Sequence, residues 1–111
     1  MSENNTEMYG YPPPPEILRL QTSLCKIMSN PRRVLIIRLL EEGEKSVTEL
    51  VERSGLRKAA ISQNLAPMRE LGLVKFRRDG QKIYYSLKAK KVIAACSAMQ
   101  SLLSELSGDI G

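Results

Sequence analysis

Apolar residues along this chain fall into helix-spaced stripes followed by two short alternating runs and a closing helical stripe. From Pro15 or Glu16 onward, Ile17, Leu20, Leu24 and Met28 recur at three-to-four-residue intervals, with Leu18, Cys25 and Ile27 widening the stripe. Proline suits a first helical turn, and Glu16 suits the positive end of the helix dipole. Ser29-Asn30-Pro31 interrupts the pattern, with Asn30 placed to cap and Pro31 to open a second helix. That helix is expected to bury Val34, Leu35, Ile37 and Leu39 or Leu40, and to end at Gly43. Ser46-Val47 reads as a brief strand, and Thr48 as the cap of a third helix reaching Arg53. A fourth helix is predicted from Arg57 to Leu71, stopping at Gly72. Alternation then predicts strands at Val74–Arg77 and Lys82–Leu87, joined through Asp79-Gly80, a two-residue hairpin signal. The last helix, over residues 89–107, carries Val92, Cys96, Met99, Leu103 and Leu106 at three-four spacing, with Ala95 and Leu102 beside them.

The order is a short helix, a turn broken at Gly55, a second helix and a hairpin with a basic tip, which is the pattern of a winged helix-turn-helix. The expected class is mainly α with a small β-wing. With 111 residues the chain is expected to hold one domain over residues 16–107. Residues 1–15 read as a disordered tail ending in Pro12-Pro13-Pro14-Pro15, a stiff polyproline spacer that is either an idle terminus or an arm for a partner subunit or DNA.

Seventeen Lys and Arg against twelve Asp and Glu leave a net charge of +5, which suits a polyanionic partner. No apolar run approaches the ~18 residues of a membrane span, and no signal-like segment opens the chain. A cytoplasmic location, with both cysteines reduced, is the expectation. On the fourth helix the amino-terminal half is the part that enters a major groove, and it carries Arg57, Lys58, Ser62, Gln63 and Asn64. Gln and Asn can each pair bidentately with adenine, Ser62 can bond base or phosphate, and Arg57 and Lys58 suit phosphate oxygens. At the hairpin tip, Arg77, Arg78 and Lys82 suit the adjacent minor groove.

Three segments carry a family likeness: Ser29-Asn30-Pro31-Arg32-Arg33, Ser62-Gln63-Asn64-Leu65, and Gly80 through Leu87. They resemble, in turn, the S-D-P-x-R entry to the second helix, the S-x-H-L reading motif, and the wing with closing strand of the arsenical-resistance-repressor (ArsR/SmtB) family. The likeness spans residues 16–106. It implies a transcription factor, most simply a repressor, that dimerises through its first and last helices and binds an inverted-repeat operator in double-stranded DNA. Asn64 stands where the family usually has histidine, and Pro67 lies inside the reading helix, where it is expected to kink or loosen the chain near Gln63.

Many members of that family sense metals. Here histidine is absent, and Val51-Glu52-Arg53 occupies the position of the family's Cys-x-Cys, so no metal site and no cofactor are expected. Two cysteines remain, Cys25 and Cys96, both placed by periodicity on apolar stripes of the helices that the resemblance puts at the dimer interface. They allow a thiol-oxidation switch, or else simply fill the core as small apolar side chains. A metal- or metalloid-responsive repressor, its ligand held by cysteines across a dimer, or a non-sensing repressor stays open, as does a winged-helix interaction scaffold that binds no DNA. An enzyme is not expected, since no acid-base or nucleophile constellation is present.

Overall fold

The second helix is the post around which everything else is arranged. In the computed structural model, which describes residues 13–108, α1 spans Pro15–Met28 and α2 spans Pro31–Glu41. Asn30 caps α2 as the sequence leads one to expect: its side chain accepts a hydrogen bond from the Arg32 amide at 2.9 Å, and Pro31 takes the first helical position. The residues buried are Ile36, Ile37, Leu39 and Leu40, whereas Leu35 is exposed and Val34 half-buried. The expectation for Val34 and Leu35 is corrected because Ile36, Ile37, Leu39 and Leu40 share one broad face of the helix, and the helical period carries residues 34 and 35 away from its centre. On α1 only Ile27 is buried, with Leu24 and Met28 against the core, while Leu18, Leu20 and Cys25 face outward. Most of the expected tail, residues 1–12, lies outside the described residues.

The strand β1, Lys45–Ser46, leads directly into α3, Val47–Ser54. Ser46, not Thr48, caps that helix. Its hydroxyl accepts from the Glu49 amide at 3.1 Å, and the Glu49 carboxylate accepts from the Ser46 amide at 2.8 Å. The reciprocal box needs a carboxylate three residues after the cap, and only Ser46 has one. Gly55, at φ 77°, closes α3 in the left-handed region, and α4 follows at Lys58–Leu71. The helix continues through Pro67 without a break in assignment.

Strands β2, Val74–Asp79, and β3, Lys82–Leu87, form the hairpin, and β1 adds to its inner edge to give an antiparallel sheet of order β1-β3-β2. Asp79 pairs with Lys82, so the turn residues are Gly80 and Gln81 rather than Asp79-Gly80. Gly80 sits at φ 65°, a conformation that side chains resist, and this moves the turn one residue along. Ile36, Ile37, Leu50, Ile61, Leu65, Met68 and Val74 are fully buried between α2, α3, α4 and the sheet. The closing helix α5, Lys91–Ser107, docks on α2 through Val92 and Cys96. Beyond Cys96 it leaves Met99, Leu102, Leu103 and Leu106 exposed, the last at 72 %.

Removing the α3 cap tests this local account. Ser46→Ala is expected to cost about 1 kcal/mol, lowering the melting temperature by about 4–8 °C, as read by thermal denaturation. Thr48→Ala at the neighbouring exposed position is expected to change little.

Candidate nucleic-acid interface

The helical period of α4 divides its residues between core and solvent. Ile61, Leu65 and Met68 are buried, so Lys58, Ala59, Ser62 and Gln63 emerge together on the opposite side, with Arg57 exposed at the cap position. Neither Arg57 nor Lys58 has an ion-pair partner among the described residues, nor do Arg78 and Lys82 on the hairpin. Lys58 and Lys82 border one shallow cavity of about 120 Å³, together with Gln81 and the first turn of α3. The start of the reading helix and the tip of the wing therefore flank the same hollow, as a groove-binding surface requires.

Asn64 is placed differently from its neighbours. It is only 7 % exposed, and its side-chain oxygen accepts a hydrogen bond from Arg33 Nε at 3.2 Å while its Nδ2 donates to the Ala60 carbonyl at 2.8 Å. The expectation that Asn64 projects toward DNA is corrected by this geometry, because position 64 falls between the buried Ile61 and Met68 on the helix face that meets α2. Sequence periodicity could have placed it there; the likeness to a reading motif drew it outward.

Arg77 is likewise committed. Consecutive strand residues point to opposite faces, so Arg77 shares a face with its partner Tyr84, and Arg78 shares the other with Ile83. The Arg77 guanidinium donates to both oxygens of Glu44, at 2.7 and 2.9 Å, and lies 4.6 Å from the centre of the Tyr84 ring. On the other face, Phe76 packs 5.8 Å from Tyr85 and receives Arg69 of α4 over its ring at 5.1 Å. Arg78 thus lies on the side of the wing that faces α4, while Arg77 fastens the wing's back to the loop after α2. The sequence expectation of Arg77 as a DNA contact did not include Glu44, whose position thirty-three residues away carries no local signal.

Hydrogen bonding to Arg77 holds the Glu44 carboxyl below its ordinary value, and the same bond raises the guanidinium. Glu42 is lowered by Arg53 and then Lys45, and Glu49 by the Ser46 amide. Each is a depressed carboxylate, so its contribution to stability is fully present above the unfolded value. That contribution is lost as pH falls through the lower folded value. The contribution of these three carboxylates to stability is therefore expected to be constant above about pH 5 and to decline below it. Glu44→Gln should remove part of the decline and speed amide exchange in the hairpin, as followed by denaturation against pH and by hydrogen exchange.

The two cysteines occupy unlike environments. Cys25 is exposed on α1, off the packed stripe where it was expected, and Cys96 is 2 % exposed on α5. Burial pushes the Cys96 thiol up, opposed in part by Arg38, which reaches from α2 toward Ser97 and Gln100 of α5. A thiol held protonated in this way is a poor nucleophile. Iodoacetamide is expected to modify Cys96 only when the protein unfolds; native labelling at the rate of a free thiol would contradict its burial. Among the described residues no group of three or more His, Cys, Asp or Glu side chains could hold a metal ion, and no helix is long and apolar enough to cross a membrane.

An outward polar helix face beside a basic hairpin, on this framework, defines a winged helix-turn-helix DNA-binding protein. Residues 30–75 match the family model described as bacterial regulatory protein, arsR family. The chain is 37% identical to the nodulation protein NolR of Rhizobium meliloti over 101 residues, covering 88% of this chain and 80% of that one. HlyU from Vibrio cholerae, solved as a structure, matches with a TM-score of 0.66 at 36% identity, over 84% of this chain and 97% of its own. A homodimeric winged helix-turn-helix domain from Mycobacterium bovis shares the fold at a TM-score of 0.73 and 23% identity, over 99% of this chain and 96% of its own. The chain belongs to the ArsR family of transcriptional regulators, and its function is DNA-binding regulation of transcription.

Proposed function

We propose that the protein is a homodimeric repressor that reads an inverted-repeat operator with Ser62 and Gln63. Arg57, Lys58, Arg78 and Lys82 contact the phosphate backbone in this proposal. The observation that carries it is the emergence of Lys58, Ser62 and Gln63 from one side of a helix whose other side is buried. Arg77 is removed from the contact set because Glu44 and Tyr84 hold it at the back of the wing. Asn64 is removed because both ends of its amide are engaged.

Dimerisation is supported by the apolar row Met99, Leu102, Leu103 and Leu106 on α5 and by Leu18 and Leu20 on α1. A chain of this size gains by covering such a surface, and the Mycobacterium bovis domain is described as homodimeric. Two-fold symmetry would set the two α4 helices in successive major grooves, one half-site each. Sedimentation at micromolar concentration is expected to show a dimer; a monomer there would contradict this part.

Gln63→Ala is expected to cost about 1–3 kcal/mol on the operator and much less on unrelated DNA. Arg78→Ala should weaken both alike and reduce the salt slope by about one. Fluorescence-anisotropy titration over a range of salt separates the two effects. If neither variant alters binding, the contact set is wrong, and a protein whose DNA affinity shows no steep salt slope is an interaction scaffold instead.

A second reading, thiol gating, draws on a solved relative described as reduced HlyU. A disulfide needs α-carbons within about 7 Å. Both thiols are free here, Cys25 exposed and Cys96 buried against α2, so a Cys25–Cys96 bridge between protomers would need α5 to shift and uncover Cys96. Diamide treatment and non-reducing electrophoresis test it: a covalent dimer lost in Cys25→Ser and Cys96→Ser supports gating, and a persistent monomer band leaves Cys96 as a packing residue and Cys25 as a surface thiol.

A further inference from the structure

We propose that Arg33 and Asn64 are positioning residues for DNA reading: their buried hydrogen bond is the tie that sets the angle of the amino-terminal half of α4. This rests on Ser62 and Gln63 being the base readers. Ile61, Leu65 and Met68 hold α4 to the core through apolar contacts, which keep that face inward but set the fine tilt of the helix weakly, because they have no direction. The bond from Arg33 Nε to Asn64 Oδ1 is the only side-chain hydrogen bond from α4 to another element among the described residues. It is directional and half-buried, and the Nδ2 bond to the Ala60 carbonyl leaves the amide one orientation. Its anchor is firm, since Arg33 stands in the first turn of α2, whose start is capped by Asn30 and stiffened by Pro31.

The need for a tie lies one turn further on. Pro67 has no amide hydrogen, so the carbonyl of Gln63, itself a reading residue, is without the helical donor four residues ahead. An open surface groove of about 360 Å³, lined by Ser23, Lys26 and Ile27 of α1, Arg33 of α2, and Pro67, Glu70 and Leu71 of α4, lies beside the same point. A helix weakened at Pro67 and bordered by open space can tilt its reading half. Asn64 lies between that weak point and Ser62-Gln63, where a single bond to α2 controls the tilt. Buried polar pairs that select one register among several apolar packings are the best-attested use of such pairs.

The test compares Arg33→Met and Asn64→Leu with the unaltered protein, on an operator fragment and on random-sequence DNA, with hydrogen exchange of the DNA-free proteins alongside. Operator affinity is expected to fall about tenfold, the size of one lost base contact. Random-DNA affinity and salt slope should stay near those of the unaltered protein. Exchange at Ser62 to Leu65 should quicken relative to the amides after Pro67. Pro67→Ala, which restores the missing donor, should recover part of the operator affinity in the Arg33→Met background. Arg33→Met leaves the apolar packing of α4 untouched, so the outcome rests on it if Asn64→Leu does not fold. An equal loss on operator and random DNA with a salt slope lower by about one would make Arg33 a phosphate contact and overturn the proposal. Unchanged exchange in Arg33→Met would overturn it as well. If the unaltered protein does not distinguish operator from random DNA, the assignment of Ser62 and Gln63 fails, while the exchange data still decide whether the tie exists.

Discussion

One helix, α4, lies in the core on one side and, in the proposed function, on the DNA on the other, and the rest of the structure follows from that double requirement. Full burial of a residue such as Ile61, Leu65 or Met68 is worth about 1.5–3 kcal/mol, so the helix cannot turn these residues outward without losing much of a small domain's stability. The period of the helix then leaves Lys58, Ser62 and Gln63 no place but the surface. Central α2 supplies the wall for this packing, α3 and the Gly55 turn fix where α4 begins, and the sheet closes the remaining side. The polar surface proposed to bind DNA is therefore a by-product of the core, positioned by buried residues.

The wing is governed by the same economy. Its front face packs toward α4 through Phe76, Tyr85 and Arg69, and its back is fastened by Glu44 to Arg77 over Tyr84. Exposed ion pairs add little stability individually. A two-bond clamp across thirty-three residues matters more for the direction in which the hairpin points. Arg78 has no such clamp among the described residues and lies on the face toward α4, which supports its proposed contact with the phosphate backbone. Two adjacent arginines of identical chemistry thus take opposite roles because the strand alternates.

Helix order, the Asn30 cap, the Gly55 turn and the hairpin were legible in the sequence because each depends on local spacing or on backbone conformations that few residues adopt. Departures arose where a face or a partner was misassigned. Leu35 and Ile36 exchanged roles because the helical period centres the buried face of α2 on Ile36, Ile37, Leu39 and Leu40. Ser46 displaced Thr48 as the cap because Glu49 completes a reciprocal pair with it. The inward side of α4 on which Asn64 lies follows from helical spacing, but its partner Arg33, and Glu44 as the partner of Arg77, are more than thirty positions away and carry no local signal. The unresolved part of the candidate site is accordingly its polar wiring, while its apolar framework was readable.

The buried face of α4, the clamped wing and the uncovered row on α5 support the proposal of a reading head that acts in pairs. Hydroxyl-radical footprinting of the protein on its own promoter tests this most directly. The account predicts two symmetric protected patches on one face of the duplex, with centres about one helical turn or a multiple of it apart. A single patch, or protection lacking two-fold symmetry, would contradict it.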